Sequence, residues 1–108
     1  MLSIHIAPLH IKISGHASFA APGKDIVCAG VSALAMTLYL ELKEKLEAGW
    51  LDAATLQCDS GNAHLYAQPQ EPYALAIRAL FEAFSNGLCA MAQAYPEYIK
   101  VKSLEILK

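Results

Sequence analysis

The sequence predicts an α+β domain in which two helices pack on one mainly antiparallel sheet of about five strands. Two observations lead to this expectation. Segments with alternating polarity read as strands and two long apolar stretches have helical spacing, and together they follow the order ββαββαβ. The length of 108 residues suits a single domain, so residues 1–108 are expected to form one unit.

The first two elements are predicted strands, because apolar residues occupy every second position on either side of a proline. Ala7-Pro8 separates the two runs, and neither residue favours positive φ, so a two-residue hairpin turn at these positions is disfavoured and the pairing stays open. The alternating apolar residues are Leu2, Ile4, Ile6, Leu9, Ile11 and Ile13.

A helix is predicted to begin near Asp25 and to end at about Glu47, before Gly49. Its first four turns are apolar on every side, and charged residues crowd its last turns. A helix that is apolar all round is expected to be buried all round. In a chain of this size the sheet can cover one face, and a partner subunit could cover another.

The second half of the chain repeats the pattern of two strands and a helix, followed by a last strand. Strands are predicted at 50–58 and 64–67, joined by a turn at 59–62, and a helix from Pro72 to Tyr95. The last strand is predicted at 98–107, with a bulge near Lys102 because the apolar parity changes there. The apolar stripe of the helix consists of Tyr73, Ile77, Leu80, Phe81, Phe84, Leu88 and Met91.

Composition limits the class of function. Hydrophobic residues make up 56% of the chain and charged residues 17%. Soluble domains typically have ~45–50% and ~25%, so the excess of apolar residues favours a homodimer. The net charge is −2 and the basic residues are scattered, so direct binding to nucleic acid is disfavoured.

The cysteines and the N-terminal residues indicate a cytoplasmic protein. The number of cysteines is three and no CxxC motif occurs, so neither a disulfide framework nor a zinc ribbon is expected. The first residues alternate in polarity and lack a basic region, unlike a signal peptide. The longest uncharged apolar run, from Ile26 to Leu40, is shorter than the ~20 residues that cross a bilayer, so no membrane association is expected.

The candidate chemistry lies between His16 and Cys28. Asp25 is a suitable N-cap, which places Cys28 in the first turn, where the positive end of the helix dipole favours a thiolate. His16, at the end of a predicted strand, could take the thiol proton, and N–H groups of the same first turn could hold an oxyanion. The alternative is that Cys28 is a small apolar residue of the core, which is the commoner role of cysteine.

The other titratable residues give weaker signals. Cys58 and His64 flank a turn, but their spacing supports no zinc site, and no phosphate-binding glycine motif or cofactor motif is present. We therefore expect neither a metal nor a cofactor. His5 and His10 fall on the polar side of their strands and are expected to be solvated. Cys89 lies within the second helix, where a place in the core or in a dimer interface is expected.

The segment that contains His16 and Cys28 resembles the Prp family, the ribosomal-processing cysteine proteases of bacteria. The resemblance rests on Gly15-His16-Ala17, then Gly23, then Asp25-Ile26-Val27-Cys28-Ala29, followed by Val31-Ser32-Ala33-Leu34. This signature covers about a fifth of the chain. A Tyr95-Pro96-Glu97-Tyr98-Ile99 segment after the second helix agrees more loosely. Gly30 stands where many members have alanine.

The resemblance implies a homodimeric α+β cysteine protease whose substrate is the N-terminal peptide of a large-subunit ribosomal protein, the one numbered twenty-seven. It places the catalytic histidine on His16 and the nucleophile on Cys28. Asp25 would cap the helix or orient His16. The Ser32 hydroxyl would form a hydrogen bond near the site or donate to the carbonyl group four residues before it in the helix. A loop containing Ala17, Pro22 and Gly23 would order over substrate.

Two other functions remain open at this point. The chain could be a phage or prophage protease that trims capsid or scaffold proteins with a similar cleavage motif. It could also be a non-catalytic dimeric module that binds ribosomal protein or ribosome-assembly intermediates. The presence of both His16 and Cys28 argues against the second alternative.

Overall fold

The computed structural model describes residues 1–21 and 24–103, which form five strands and two long helices. Both helices and the alternating strands lie where the periodicity predicts them. In chain order the elements are β1 (Leu2–Ala7), β2 (His10–Gly15), α1 (Ile26–Glu47), β3 (Leu51–Asp59), β4 (Asn62–Pro69), a short 3₁₀ turn (Glu71–Tyr73), α2 (Ala74–Ala94) and β5 (Ile99–Ser103).

The five strands form one mixed sheet in the order β3-β4-β2-β1-β5. Three of the four neighbouring pairs are antiparallel, and β1 and β5 run parallel. The predicted α+β class, with two helices on a mainly antiparallel sheet, is therefore confirmed. The central strand β2 pairs with β4, so residues that are far apart in sequence become neighbours.

The connection between β1 and β2 is a tight hairpin. Its turn residues are Pro8 and Leu9, one position later than the Ala7-Pro8 pair weighed from the sequence, with Ala7 opposite His10. Neither turn residue has positive φ. Proline supplies the negative φ that the first central position of a common turn requires, so the hairpin closes without the positive φ of the primed turns.

The turn between β3 and β4 is shorter than predicted. The strands extend through Asp59 and from Asn62, with Asp59 opposite Asn62, so Ser60 and Gly61 alone make the turn. Gly61 has a φ of 76°, which glycine adopts without strain. The last strand pairs regularly with β1 through Ser103, so the bulge predicted near Lys102 is wrong for the described part of this strand. The residues in which the predicted strand continued lie outside the described residues.

The core lies between the helices and one face of the sheet. The largest fully buried side chains come from the first, second and fourth strands and from both helices, and they include Ile4, Ile11, Leu38, Leu42, Leu65, Ile77, Phe81 and Leu88. On α2 the predicted stripe is the inner face, with Ile77, Phe81 and Leu88 buried. The opposite face of the sheet carries mainly polar side chains.

Helix α1 is not buried all round, contrary to the prediction. Its buried side chains form one stripe, whereas Ile26, Met36 and Leu40 are 57%, 53% and 56% exposed. The sheet and α2 together cover only the inner face of α1, so its apolar outer face remains exposed in the single chain.

Both helical segments, Ile26–Glu47 and Glu71–Ala94, are long and apolar enough by composition to cross a membrane. Core helices of soluble proteins meet the same criterion, and two such segments are weak evidence for a span. Both helices pack against the sheet through buried side chains.

Candidate active site

A cleft of about 320 Å³ lies between the first half of α1 and the turn that joins β3 to β4. His16, Cys28 and Ser32 all line it, so the structure brings together three residues singled out from the sequence. The other lining residues are Leu2, Ile13, Gly15, Val31, Ala35, Met36, Cys58, Asp59, Ser60, Gly61, Asn62 and Ala63.

Asp25 places Cys28 in the first turn of α1. Asp25 is the N-cap of the helix, and its Oδ1 accepts a hydrogen bond of 2.9 Å from the backbone N–H of Cys28. A carboxylate in this position satisfies one of the N–H groups that a helix start leaves unpaired. Cys28 is half-buried and its thiol is free.

The second oxygen of Asp25 ties the preceding loop to the helix. Oδ2 accepts a hydrogen bond of 3.0 Å from the backbone N–H of Phe19. The hydrogen bonds from the N–H groups of Cys28, Phe19 and Ala20 hold the pKa of Asp25 below its usual value. The partners of the carboxylate in the described part of the chain are these backbone groups and the Cys28 side chain, so the structure shows the capping role of the two that the sequence left open.

The loop after His16 contacts the thiol directly. The backbone N–H of Ala17 donates to Cys28 Sγ over 3.2 Å, and Ala17 is buried. The next residue, Ser18, has a φ of 58°. Phe19 packs edge-on against Tyr95 and Tyr98, with ring centroids 5.9 and 5.2 Å apart.

Only part of the predicted gating loop can therefore be placed. Ala17 is a fixed part of the site, since it is buried and bonded to Cys28. Pro22 and Gly23 lie outside the described residues.

His16 projects from the end of β2 towards the turn between β3 and β4. The backbone N–H of Gly15 donates to the carbonyl oxygen of Gly61 over 3.0 Å. A Cβ added to Gly61 would lie 2.8 Å from His16 Nε2 and 2.9 Å from Cε1, so the imidazole packs on the bare glycine backbone. Within residues 1–21 and 24–103 no hydrogen bond joins His16 to Cys28, although both side chains line the same cleft.

Two further residues of the cleft, Ser32 and Cys58, carry a hydroxyl and a thiol group. Ser32 is exposed one turn beyond Cys28. Cys58 enters from β3, and burial, with a smaller contribution from Asp59, raises the pKa of its thiol. Its protonated form is favoured, which distinguishes it from a nucleophile. Cys89 is half-buried on α2 and does not line the cleft.

Sequence reasoning missed the contribution of the β3–β4 turn to the site. The turn itself was predicted from Asp59-Ser60-Gly61-Asn62, but its contact with His16 joins residues 45 positions apart. That contact depends on the pairing of β2 with β4, which local patterns do not encode. Met36 was likewise expected only as a buried helical residue, and it lines the cleft.

The remaining histidines lie on the polar face of the sheet, away from the cleft. His5 and His10 are half-buried rather than solvated as predicted, and Nε2 of His10 lies 2.7 Å from Nε2 of His64. His64 and Cys58 point to opposite faces of the sheet, so they cannot share a metal. Among the described residues no three His, Cys, Asp or Glu side chains converge in a way that could hold a metal ion.

Comparison with known proteins assigns the chain to a family. The family model described as cysteine protease Prp matches residues 5–100. The essential ribosomal processing protease Prp from S. aureus, in complex with a covalently linked product peptide, superposes with a TM-score of 0.76 at 20% identity, covering 95% of this chain and 99% of that one.

Two further solved structures agree with this fold. SMU.848 from Streptococcus mutans gives a TM-score of 0.65 at 25% identity, over 96% of this chain and 92% of that one. A second S. aureus Prp structure, with a substrate peptide, gives 0.66 at 17% identity, over 95% and 99%. Among curated protein sequences, none matches the chain significantly. The family model covers nearly the whole domain, including the thiol in the first turn of α1 and the histidine beside it, and the chain belongs to the cysteine protease Prp family.

Proposed function

We propose that this protein is a cysteine endopeptidase that removes a short N-terminal extension from a bacterial large-subunit ribosomal protein, the one numbered twenty-seven. Cys28 is the nucleophile and His16 is the general base and acid. The observation that carries the proposal is the hydrogen bond from the backbone N–H of Ala17 to Cys28 Sγ. Ala17 directly follows His16, so this bond fixes the thiol beside the backbone that carries the histidine, and the side chains of His16 and Cys28 line one cleft.

The reaction begins with transfer of the Cys28 thiol proton to His16. The sulfur then forms a bond to the scissile carbonyl carbon, and the carbonyl oxygen becomes an oxyanion. When the oxyanion collapses, the carbon–nitrogen bond breaks and His16 gives its proton to the leaving amine. Water, deprotonated by His16, attacks the thioester, which releases the new carboxylate and restores the thiol. In the absence of substrate, catalytic groups often lie too far apart and close in the complex.

The oxyanion needs a hydrogen-bond donor close to Sγ. The first-turn N–H groups of Cys28 and Ala29 are already bonded to the side chain and the carbonyl of Asp25, at 2.9 and 3.0 Å. The N–H of Ala17 is better placed, because it already points at the sulfur. Once sulfur is bonded to carbon it is a poorer acceptor, and this N–H is then available to the adjacent oxyanion.

The substrate is proposed to be an extended peptide with apolar residues before the cut. Val31, Ala35 and Met36 give one wall of the cleft an apolar surface. Strand β3 is one of the two edge strands of the described sheet, the one whose end borders the cleft, and it can pair with an extended segment. The S. aureus structures hold a product or a substrate peptide, which supports a peptide ligand for this chain as well.

The enzyme is further proposed to be a cytoplasmic homodimer that binds no nucleic acid directly. The exposed apolar face of α1 supports the dimer, since large apolar patches commonly mark interfaces. The net charge of −2 and the scattered basic residues give no support to nucleic-acid binding. Reduced, unpaired cysteines suit the cytoplasm.

The proposal is tested by mass spectrometry of the ribosomal protein, with its N-terminal extension, after incubation with the enzyme. Wild type should make one cut, and Cys28→Ser and His16→Ala should make none. Cys89→Ser is the matched control, because its thiol lies outside the cleft, and it should cut at the wild-type rate. Full cleavage by Cys28→Ser, or binding of the substrate without any cut by wild type, would contradict the proposal.

A further inference from the structure

The polar face of the sheet carries a pair of histidines that the proteolytic mechanism does not use. His10 lies on β2 and His64 on β4, and the register places them as diagonal neighbours, with His10 opposite Tyr66 and Lys12 opposite His64. Their Nε2 atoms are 2.7 Å apart. The pair is separated from the cleft by the sheet itself.

The two imidazole rings meet edge to edge. Their centroids are 4.8 Å apart and their planes differ by 19°. The centroid separation exceeds the Nε2 separation by nearly twice the radius of an imidazole ring, as it must when the two nitrogens point towards each other. Only one hydrogen fits between the two nitrogens, and one ring must therefore accept. The edge contact of His10 with Tyr66, at 5.6 Å between centroids, helps to hold the ring in this orientation.

We propose that His10 and His64 form a binding site for one divalent transition-metal ion of the Zn²⁺, Ni²⁺ or Cu²⁺ type. The ion replaces the shared hydrogen and accepts the two Nε2 lone pairs. Two nitrogens bound to one such ion at ~2.0–2.1 Å lie roughly 2.9–3.4 Å apart for cis-octahedral to tetrahedral geometry, so the Nε2 atoms must separate by about 0.2–0.7 Å and both rings must tilt until their lone pairs point at the ion. Both rings then carry their hydrogen on Nδ1, and water fills the other coordination positions.

The chemistry of the pair selects the metal class. Two neutral imidazoles suit Zn²⁺, Ni²⁺ and Cu²⁺, whereas Mg²⁺ and Ca²⁺ require oxygen ligands. Because the ligands belong to adjacent strands whose register is fixed, the ion also joins β2 to β4, and it stabilises the folded chain by an amount that grows with the logarithm of its affinity.

Lys12 is expected to weaken metal binding, and this expectation offers an independent test. It lies on the same face, directly opposite His64 in the register. Its ammonium group repels a divalent cation, so Lys12→Gln should tighten metal binding. A role for the histidines that is purely structural would not respond to Lys12 in this way.

The experiment is a calorimetric titration of the protein with Ni²⁺. Wild type should bind one ion, and His10→Gln and His64→Gln should each weaken binding by more than the ~10–100-fold typical of losing an outer-shell partner. His5→Gln removes an unpaired histidine of the same face and should leave the affinity unchanged. His16→Ala is the control for metal bound by the catalytic thiol and histidine, and it should also bind as wild type does.

Two outcomes would overturn the inference. In one, His10→Gln and His64→Gln bind Ni²⁺ as wild type does. In the other, His16→Ala alone abolishes binding, which would place the ion in the cleft. Nitrogen NMR of the imidazoles with Zn²⁺ identifies the ligands directly, and shifts of both Nε2 signals of His10 and His64 are expected. Thermal unfolding of each variant without metal verifies that it is folded.

Discussion

Asp25 shows how one side chain can organise a site without touching substrate. One carboxylate oxygen caps α1 at Cys28 and the other holds Phe19, so the loop and the helix start are fixed to each other. The ionised carboxylate accepts both bonds more strongly than the protonated acid does. The position of the thiol therefore depends on a charge as well as on packing.

Substitution of Asp25 by asparagine should remove a pH-dependent part of the stability. The folded-state pKa of Asp25 is lowered, so its contribution is present above the unfolded value of ~3.9 and is lost as pH falls through the folded value. We expect wild type to be more stable than Asp25→Asn near neutral pH, with the difference shrinking in acid. Urea unfolding over a series of pH values measures it, with Asp52→Asn as an exposed control. A difference that stays constant with pH would contradict this assignment.

Gly61 positions His16 by having no side chain. Gly61→Ala places a Cβ 2.8 Å from Nε2 of His16, which must then swing away. We expect kcat to fall by up to about a hundredfold, the scale of a 1 Å misplacement. The measurement is steady-state cleavage of an extended peptide.

The matched control for Gly61→Ala is Gly49→Ala. Gly49 has a similar φ, 82° against 76°, but an added Cβ there meets nothing within 4 Å. Both substitutions carry the backbone cost of roughly 1–2 kcal/mol for a left-handed residue. Equal cleavage rates for the two variants would show that Gly61 does not position His16.

At the scale of elements, the two helices approach closely at two glycines. A Cβ on Gly30 of α1 would lie 2.7 Å from Cε of Met91, and a Cβ on Gly87 of α2 would lie 3.1 and 3.2 Å from the two Cδ atoms of Leu34. The methionine contact involves the flexible end of a side chain, whereas both branches of the leucine are engaged. The helix interface should therefore accept an added methyl group more easily at Gly30 than at Gly87.

Gly30→Ala should be close to neutral and Gly87→Ala destabilising. Alanine gains roughly 1 kcal/mol of helix propensity at both positions. At Gly30 the Met91 methyl can move aside, whereas at Gly87 the overpacking of Leu34 costs about 1–3 kcal/mol. Urea unfolding of the two variants gives the comparison. A greater loss of stability for Gly30→Ala would show that the Met91 side chain cannot move.

Helices and strands were predictable because their signals are local. Asp25 at the N-cap, Gly49 after the end of α1 and Pro72 before α2 marked the helices, and alternating apolar residues marked β1 and β2. The hairpin turn lies one residue later than the pair considered from the sequence, because Pro8 favours a turn with negative φ, which needs neither glycine nor asparagine. The exposure of the outer face of α1 could not be predicted, since composition does not show which faces of a helix pack against another element.

For the whole molecule, the exposed stripe of α1 is an apolar surface that a single chain leaves uncovered. It runs along Ile26, Ala29, Ala33, Met36 and Leu40, all exposed and spaced by whole helical turns. Met36 belongs both to the stripe and to the cleft wall. A dimer formed through this stripe would therefore border the cleft that contains His16 and Cys28.

Leu40→Glu should convert the proposed dimer into a monomer. A buried carboxylate without a partner at the interface is strongly unfavourable, whereas the folded monomer already exposes 56% of Leu40. Leu75→Glu is the control, since Leu75 is 84% exposed on α2, outside the stripe. Light scattering at micromolar concentration measures the mass of each. A Leu40→Glu protein that remains dimeric would place the interface elsewhere.

The sequence by itself determined the element order, the helix that begins at Asp25 and the first-turn position of Cys28, because capping and periodicity act over a few residues. Only the tertiary structure decided which distant residues meet. Placing β2 between β1 and β4 sets Gly61 against His16 and brings His10 to His64 across 54 positions of sequence. Strand pairing of this kind depends on the packing of the whole sheet, and the cleft that holds His16 and Cys28 exists because of it.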